Sequence, residues 1–242
     1  MSNKKINAIF KNYKNKHLGE SAIFIATGPS LQAYLDSDLV KNKKFTNFIK
    51  IGCNSSSVIK DLDLDYYFVG DPDFGGGPNA FRIKPKLYLN SDVKKQKFCR
   101  THISNFLGKD PQDFLVYETS RYPEKNHKYY PLDIVSEPIN QVGSISMDIM
   151  QFCLFSGFKK IFLVGQDCNY NQVGKSSHVN QSIRVSQTKT AQTGPADKIL
   201  RFWSQLKQFI DNQYSDVEIF IVNPVSLKLW QEISIEDMLK KG

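Results

Sequence analysis

No apolar run in this chain of 242 residues approaches the length of about 18 that a membrane-spanning helix requires, so no spanning segment is expected. The stretch 1–17 is rich in Lys and Asn and has no apolar centre. It is not expected to be a secretory signal, and the cytoplasm is the expected compartment. Cysteine is scarce: Cys53, Cys99, Cys153 and Cys168 are widely spaced, with no C-x-x-C pair. They read as reduced, mostly buried thiols, not as a disulfide frame or a zinc site. Several catalytic signatures are also missing. There is no G-x-S-x-G elbow, no G-x-x-x-x-G-K-[ST] loop, no H-E-x-x-H and no G-x-G-x-x-G dinucleotide fingerprint. Zinc-finger spacing and a basic helix with heptads are absent too, so no specific nucleic-acid partner is expected. Acidic residues are in deficit, 24 against 32 Lys and Arg, for a net charge of +8. That balance suits acidic partners such as nucleotides or an anionic lipid surface, on which the Lys-rich start can sit. It equally suits a solvated, Lys/Asn-biased surface.

What the chain does contain is an alternation of strand-like and helix-like segments. Strands are expected at 21–27, 45–53, 66–69, 86–89, 114–117, 160–164 and 217–222. Helices are expected at 30–40, 55–60, near 91–105, and at 144–156, 196–212 and 235–241. The segment 118–140, rich in Tyr, Pro and Lys, shows no clear period and reads as a loop or lid, and 168–193 reads as a polar loop. This order predicts an α/β, Rossmann-like fold: a mostly parallel sheet with helices on both faces and a lid segment. Residues 1–20 form an extension ahead of a single domain, 21–242. Right-handed crossovers put the strand C-ends along one edge, where ligands of such sheets bind.

Those ends carry a recurring pattern of a turn former beside a polar residue. The first strand ends in Thr27-Gly28-Pro29-Ser30, with apolar-periodic Leu31 to Leu35 directly after. Gly28 permits a tight turn or a close backbone approach, and Pro29 suits the first turn of a helix. A strand turning sharply into a helix aims backbone N–H groups at one point, a site for phosphate. The other ends read Gly52-Cys53-Asn54-Ser55, Gly70-Asp71-Pro72-Asp73, Gly165-Gln166-Asp167 and Asn223-Pro224. Taken alone, Asn54, Ser55 and Asp71 are ordinary turn and cap residues. Asp71 and Asp73 can hold a divalent cation, or cap the turn before Gly75-Gly76-Gly77. His178, in the polar loop, has the chemistry of an acid or base near neutral pH. Tyr170 can donate to a phosphate oxygen or cover the edge of the core.

Together these motifs resemble two related groups. Ile25-Ala26-Thr27-Gly28-Pro29-Ser30-Leu31 is similar to the G-x-G-P-S-L opening of the bacterial sialyltransferases and of the motility-associated-factor flagellin glycosyltransferases with the 6-hydroxymethylpterin diphosphokinase-like domain. Gly52-Cys53-Asn54 resembles their second-strand Asn motif. The segment from Ser156 to Asp167 resembles their A-x-x-x-G-[FY]-x-x-I-x-L-x-G-x-D run. Asn223-Pro224-Val225-Ser226 resembles the sialyltransferases' C-terminal Pro-Asn-Ser with the order altered. The resemblance covers about residues 21–229. It implies a glycosyltransferase with a nucleotide-activated donor, a CMP-nonulosonate such as sialic acid, and a glycan or protein acceptor. It implies that Thr27, Gly28, Pro29, Ser30, Asn54 and Gly165 hold the nucleotide, and that Ser144 and Ser146 contact the donor sugar or phosphate. The catalytic set it implies is Asp167, Tyr170 as helper of the leaving phosphate, and His178 as base. The sialyltransferase His is missing from 189–194, whereas the Gly165-Gln166-Asp167…His178 pattern resembles the flagellin group. No metal is required on this reading. Asp71-Pro72-Asp73 also resembles the D-x-D of the pterin kinases, which keeps a magnesium-dependent diphosphokinase open as an alternative. A non-catalytic nucleotide-binding module is the third reading.

Overall fold

The computed structural model describes residues 6–70, 92–107, 113–120, 129–168, 196–223 and 227–242. Eight parallel strands form one sheet. In chain order they are β1 (Ser21–Ile25), β2 (Ile49–Cys53), β3 (Tyr66–Val69), β4 (Gln96–Arg100), β5 (Phe114–Tyr117), then, beyond a two-stranded pair β6 (Thr119–Ser120) and β7 (Ile139–Asn140), β8 (Lys160–Val164), β9 (Glu218–Val222) and β10 (Gln231–Ile233). The spatial order is β10-β9-β8-β1-β2-β3-β4-β5. Strands β1 to β5 run outward in one direction and β8 to β10 in the other. The order therefore reverses between β1 and β8, the place where open α/β sheets form a crevice.

The strands read SAIFI, YYFV, KIFLV and EIFIV because both faces of the sheet are covered and both must be apolar. Alternate side chains go to opposite layers. Ala22, Phe24, Phe68 and Phe98 face α4 (Ile145–Ser156) and α5 (Ala196–Gln213), whose Met147, Phe152, Trp203 and Leu206 complete that core. Ile23, Ile25, Tyr67, Val69, Phe162 and Val164 face α1 (Leu31–Asp36), α2 (Asp38–Lys41) and α6 (Ile235–Lys241). All twelve residues of α4 are buried. Ser144 caps its start, and Gly157, at φ +85°, ends it in the left-handed conformation that glycine tolerates. The short α3 (Thr101–Leu107) follows β4 directly.

Several expectations shift. The helix expected over 30–40 breaks at Ser37, whose extended backbone ends α1 while its side chain accepts from Leu39 N and caps α2. The polar helix expected near 91–105 contains β4, because Gln96, Lys97 and Arg100 use their polar ends in specific pairings instead of marking a solvated helix face. The strand expected at 86–89 lies outside the described residues, and β10 was not foreseen. The segment 118–140 is in part core: Tyr130, Ile134, Val135 and Ile139 are buried. The stretch ahead of β1 is also part of the body. Phe10, in a 3-10 turn over Ala8–Tyr13, is buried against Phe98, Tyr117 and Phe152. The buried His17 ring stacks on Phe158 and bonds Tyr66 Oη through Nε2 at 2.8 Å, and burial holds its pKa below the usual range.

Candidate functional site

The pairing of β1 with β8 continues past the strand ends. Ala26 N donates to Val164 O and Gly28 N to Gly165 O, each at 2.8 Å. Gly165 has φ +70°, and a Cβ there would lie 2.6 Å from Ala26 O. A Cβ on Gly28 would meet both Gly165 O and Asp167 Oδ2 at 2.5 Å. Of the two roles open to Gly28, the structure shows the close approach: the turn after β1 is pressed onto the turn after β8. Ser30 N then donates to Asp167 Oδ2 at 2.7 Å.

This geometry corrects the expected phosphate cradle. The N–H groups of Gly28 and Ser30 are already committed, Pro29 has none, and Leu31 N and Gln32 N donate to Gly28 O and Pro29 O at 3.0 Å. The helix that follows has only six residues. A carboxylate, Asp167, occupies the position assigned to an anion. What the turn leaves over is different in kind. Asp167 Oδ1 and Ser30 Oγ are buried and form no well-aligned hydrogen bond, although the Ser30 hydroxyl lies close enough to the carboxylate to favour its charged form. Asp167 is 2% exposed, and burial raises its pKa against the lowering effects of the Ser30 hydroxyl and the Ser30 N–H. Thr27 is buried and Pro29 half-buried beside them.

Asn54 stands at the end of β2 with φ +46°, a conformation Asn tolerates better than most side chains. Its carbonyl accepts from Tyr67 Oη at 2.7 Å and its Oδ1 from Gly70 N at 3.3 Å, which ties the ends of β2 and β3 together. Ser144 and Ser146 open α4, but neither points a free hydroxyl at a ligand. Ser144 Oγ accepts from Ser146 N as the helix cap. Ser146, 3% exposed, donates to Gln166 Oε1 at 2.8 Å. The expected donor contact at Ser146 becomes a positioning role: it fixes the residue directly before Asp167. Gln166 Nε2 in turn lies 3.5 Å from Cys168 Sγ.

A second polar cluster was not foreseen. Arg100, at the end of β4, forms a two-point pair with Asp148 of α4, Nε to Oδ2 and Nη2 to Oδ1, both at 2.8 Å. Its Nη1 donates to Gly70 O at 3.0 Å, and Tyr117 Oη donates to Asp148 Oδ2 at 2.7 Å. Burial opposes the charge on Arg100, but the Asp148 carboxylate overcomes it and holds the guanidinium above its ordinary pKa. Burial, followed by the Asp148 charge, pushes the Tyr117 phenol well up, so it is neutral. The signal was a lone carboxylate in the apolar run ISMDIMQFCLFS, which demands a buried partner.

Tyr170, His178, Asp71 and Asp73 lie outside the described residues. Among the described residues no group of three or more His, Cys, Asp or Glu is placed to hold a metal ion, and no helix is long and apolar enough to cross a membrane.

No protein-family model and no curated protein matches the sequence. Among solved structures the fold is similar to the MAf glycosyltransferase from Magnetospirillum magneticum AMB-1, with a TM-score of 0.52 and 13% identity over 98% of this chain. The match spans 38% of that protein's length. It is also similar to the sialyltransferase CstII from Campylobacter jejuni in complex with a substrate analogue, CMP-3FNeuAc (TM-score 0.46, 14% identity, 84% of this chain and 81% of that one). A sialyltransferase CST-II in complex with trisaccharide acceptor and CMP matches at TM-score 0.42 and 13% identity, over 84% of this chain and 80% of that one. At these identities the likeness is one of fold, and by fold this chain is a Rossmann-like α/β protein of the kind found in the MAf glycosyltransferase, with its strand order reversing between β1 and β8.

Proposed function

We propose that this chain is a glycosyltransferase that takes a nucleotide-activated sugar, with a CMP-nonulosonate as donor and a glycan or protein hydroxyl as acceptor. One observation carries the reading. The two segments whose motifs resemble the sialyltransferase and flagellin-glycosyltransferase groups, 25–31 and 156–167, are far apart in sequence, and they meet at the switch point through Gly28 N–Gly165 O and Ser30 N–Asp167 Oδ2. The fold shared with a MAf glycosyltransferase points the same way. The donor phosphate is not held by the amides of 28–30, which are committed inside the protein. Asn54, which presents a side-chain amide at the neighbouring strand end, is the donor assigned to it. His178 deprotonates the acceptor hydroxyl and Tyr170 steadies the departing CMP phosphate, so the leaving group needs no metal.

The test is a binding panel of CMP, CDP, UDP, GDP and ATP, each with and without magnesium, read by thermal shift and calorimetry. Selective binding of CMP that ignores magnesium is the expected result. ATP binding that requires magnesium would replace this reading with phosphoryl transfer through Asp71 and Asp73. In a CMP-sugar transfer assay, His178→Ala is expected to lower turnover by about 10²-fold or more, the scale of a lost general base. A variant at full speed removes His178 from the mechanism.

A further inference from the structure

Gly70, the first residue past β3, is held on both sides by side chains of the neighbouring strand ends. Its N–H donates to Oδ1 of Asn54, the first residue past β2, at 3.3 Å. Its carbonyl accepts from Nη1 of Arg100, the last residue of β4, at 3.0 Å. Ile145, the first residue of α4, closes over it: a Cβ on Gly70 would lie 2.3 Å from Ile145 Cδ1. The same helix aims Arg100. Asp148 takes Nε and Nη2 in the two-point pair, and Tyr117 Oη fixes the Asp148 carboxylate in turn. All three side chains are buried, so the guanidinium fork has one direction open to it. Charge balance requires only the bonds to Asp148. The remaining bond, to Gly70 O, ties the end of β3 to that fork.

A planar amide fixed at one end is fixed at the other. With Oδ1 on Gly70 N, Asn54 turns its Nδ2 group, which only donates, the opposite way. The Asn54 backbone lies in the left-handed region at φ +46°, and its carbonyl is tied to Tyr67 Oη at 2.7 Å, so the amide is the part left to orient. The direction of that donor group depends on where Gly70 sits, and the place of Gly70 depends on Arg100. We propose that Arg100 is a positioning residue for donor binding, acting through Gly70 on the Asn54 amide without touching the ligand. This rests on the reading above in which Asn54 holds the donor phosphate.

Arg100→Lys tests it. The variant keeps a positive charge beside Asp148, but an ammonium has no planar fork and cannot make the two-point pair and reach Gly70 O as well. Titration calorimetry on the full chain compares CMP with cytidine, which lacks the phosphate. Arg100→Lys is expected to bind CMP about tenfold more weakly than the unaltered protein does, the scale of one hydrogen bond to a charged group, and to bind cytidine equally well. Hydrogen exchange gives a measure that needs no ligand. The Gly70 amide is expected to exchange at least about tenfold faster in the variant, beyond any change at Phe24 in β1, which reports global opening. If Arg100→Lys fails to fold, the triple variant Arg100→Met, Asp148→Leu, Tyr117→Phe replaces the whole cluster with apolar side chains, an exchange that buried ion pairs commonly tolerate. It is expected to fold and to show the same loss of CMP binding with cytidine binding retained. Equal weakening of CMP and cytidine would leave Arg100 a structural role only and overturn the inference, as would a Gly70 amide that keeps pace with Phe24. If CMP binds the variant and the unaltered protein within about twofold, a margin well below the loss of one hydrogen bond, the inference is wrong and the nucleotide reading survives. If the unaltered protein binds no nucleotide, both fall together.

Discussion

Two buried polar clusters stand at the strand ends of one sheet. Around Asp148, both carboxylate oxygens are taken: Oδ1 by Arg100 Nη2, and Oδ2 by Arg100 Nε and Tyr117 Oη. No buried atom of those three side chains is without a partner. Around Asp167, Oδ2 accepts one backbone N–H, and Oδ1 accepts no well-aligned hydrogen bond, with only the Ser30 hydroxyl near the carboxylate. The two carboxylates are about equally buried, 0% and 2% exposed, so burial does not separate them. Their hydrogen bonding does. A cluster satisfied from within is finished as a piece of architecture, and it ties α4 to the ends of β3 and β4. A cluster less fully paired at comparable depth keeps an unfavourable energy that protonation or a further donor relieves. The two clusters therefore separate here by how fully they are paired.

The comparison breaks first at Asp148. Asp148→Ala leaves the Arg100 guanidinium buried without its counter-charge, and urea unfolding is expected to show a loss of about 3–5 kcal/mol, the usual result of removing one partner of a buried pair. Tyr117→Phe, which removes one of three bonds to the same carboxylate, is expected to cost less. A loss below about 1 kcal/mol for Asp148→Ala would mean that the cluster opens to water and that its internal pairing is not what holds it.

Next in size is Gly28→Ala. The added Cβ meets a backbone carbonyl, Gly165 O, at 2.5 Å, and that atom cannot swing aside as a flexible side chain can. The β1 and β8 turns must separate, with an overpacking cost of about 1–3 kcal/mol. The Ser30–Asp167 bond is expected to weaken with it, so nucleotide binding should fall together with melting temperature. A stable Gly28→Ala variant that binds CMP normally would show that the close approach serves neither fold nor ligand.

These contrasts also explain what could be seen in advance. The strand–helix alternation, β3, β5, β8 and α4 were legible because burial on both faces makes parallel strands short apolar runs with clear ends. Gly28 and Gly165 were legible as turn residues because close packing of turns leaves glycine in the sequence. The use of the amides was not. Whether Ser30 N faces a ligand or Asp167 depends on a contact across 137 positions, which no local pattern records. Arg100 hid because β4 reads QKFCR, polar at both ends, and β4 therefore passed as part of a helix. The stretch ahead of β1 looked like a solvated tail by its lysines, although Phe10, Tyr13 and His17 bury its other side.

The finest separation of the two clusters is by pH. Burial raises the Asp167 pKa in the folded protein above the ordinary carboxylate value of about 3.9. The folded state therefore binds the proton more tightly than the unfolded chain. Its contribution to stability is fully present below the unfolded value and is lost as pH rises through the folded one. Carboxylates with lowered pKa, Asp63 and Asp133 among them, act in the opposite direction, so the total profile hides the effect. The difference between the unaltered protein and Asp167→Asn isolates it. From about pH 4 upward through the folded pKa, the unaltered protein is expected to lose stability relative to Asp167→Asn, and the gap should then level off. A gap that is flat with pH would mean that Asp167 has the same pKa folded and unfolded.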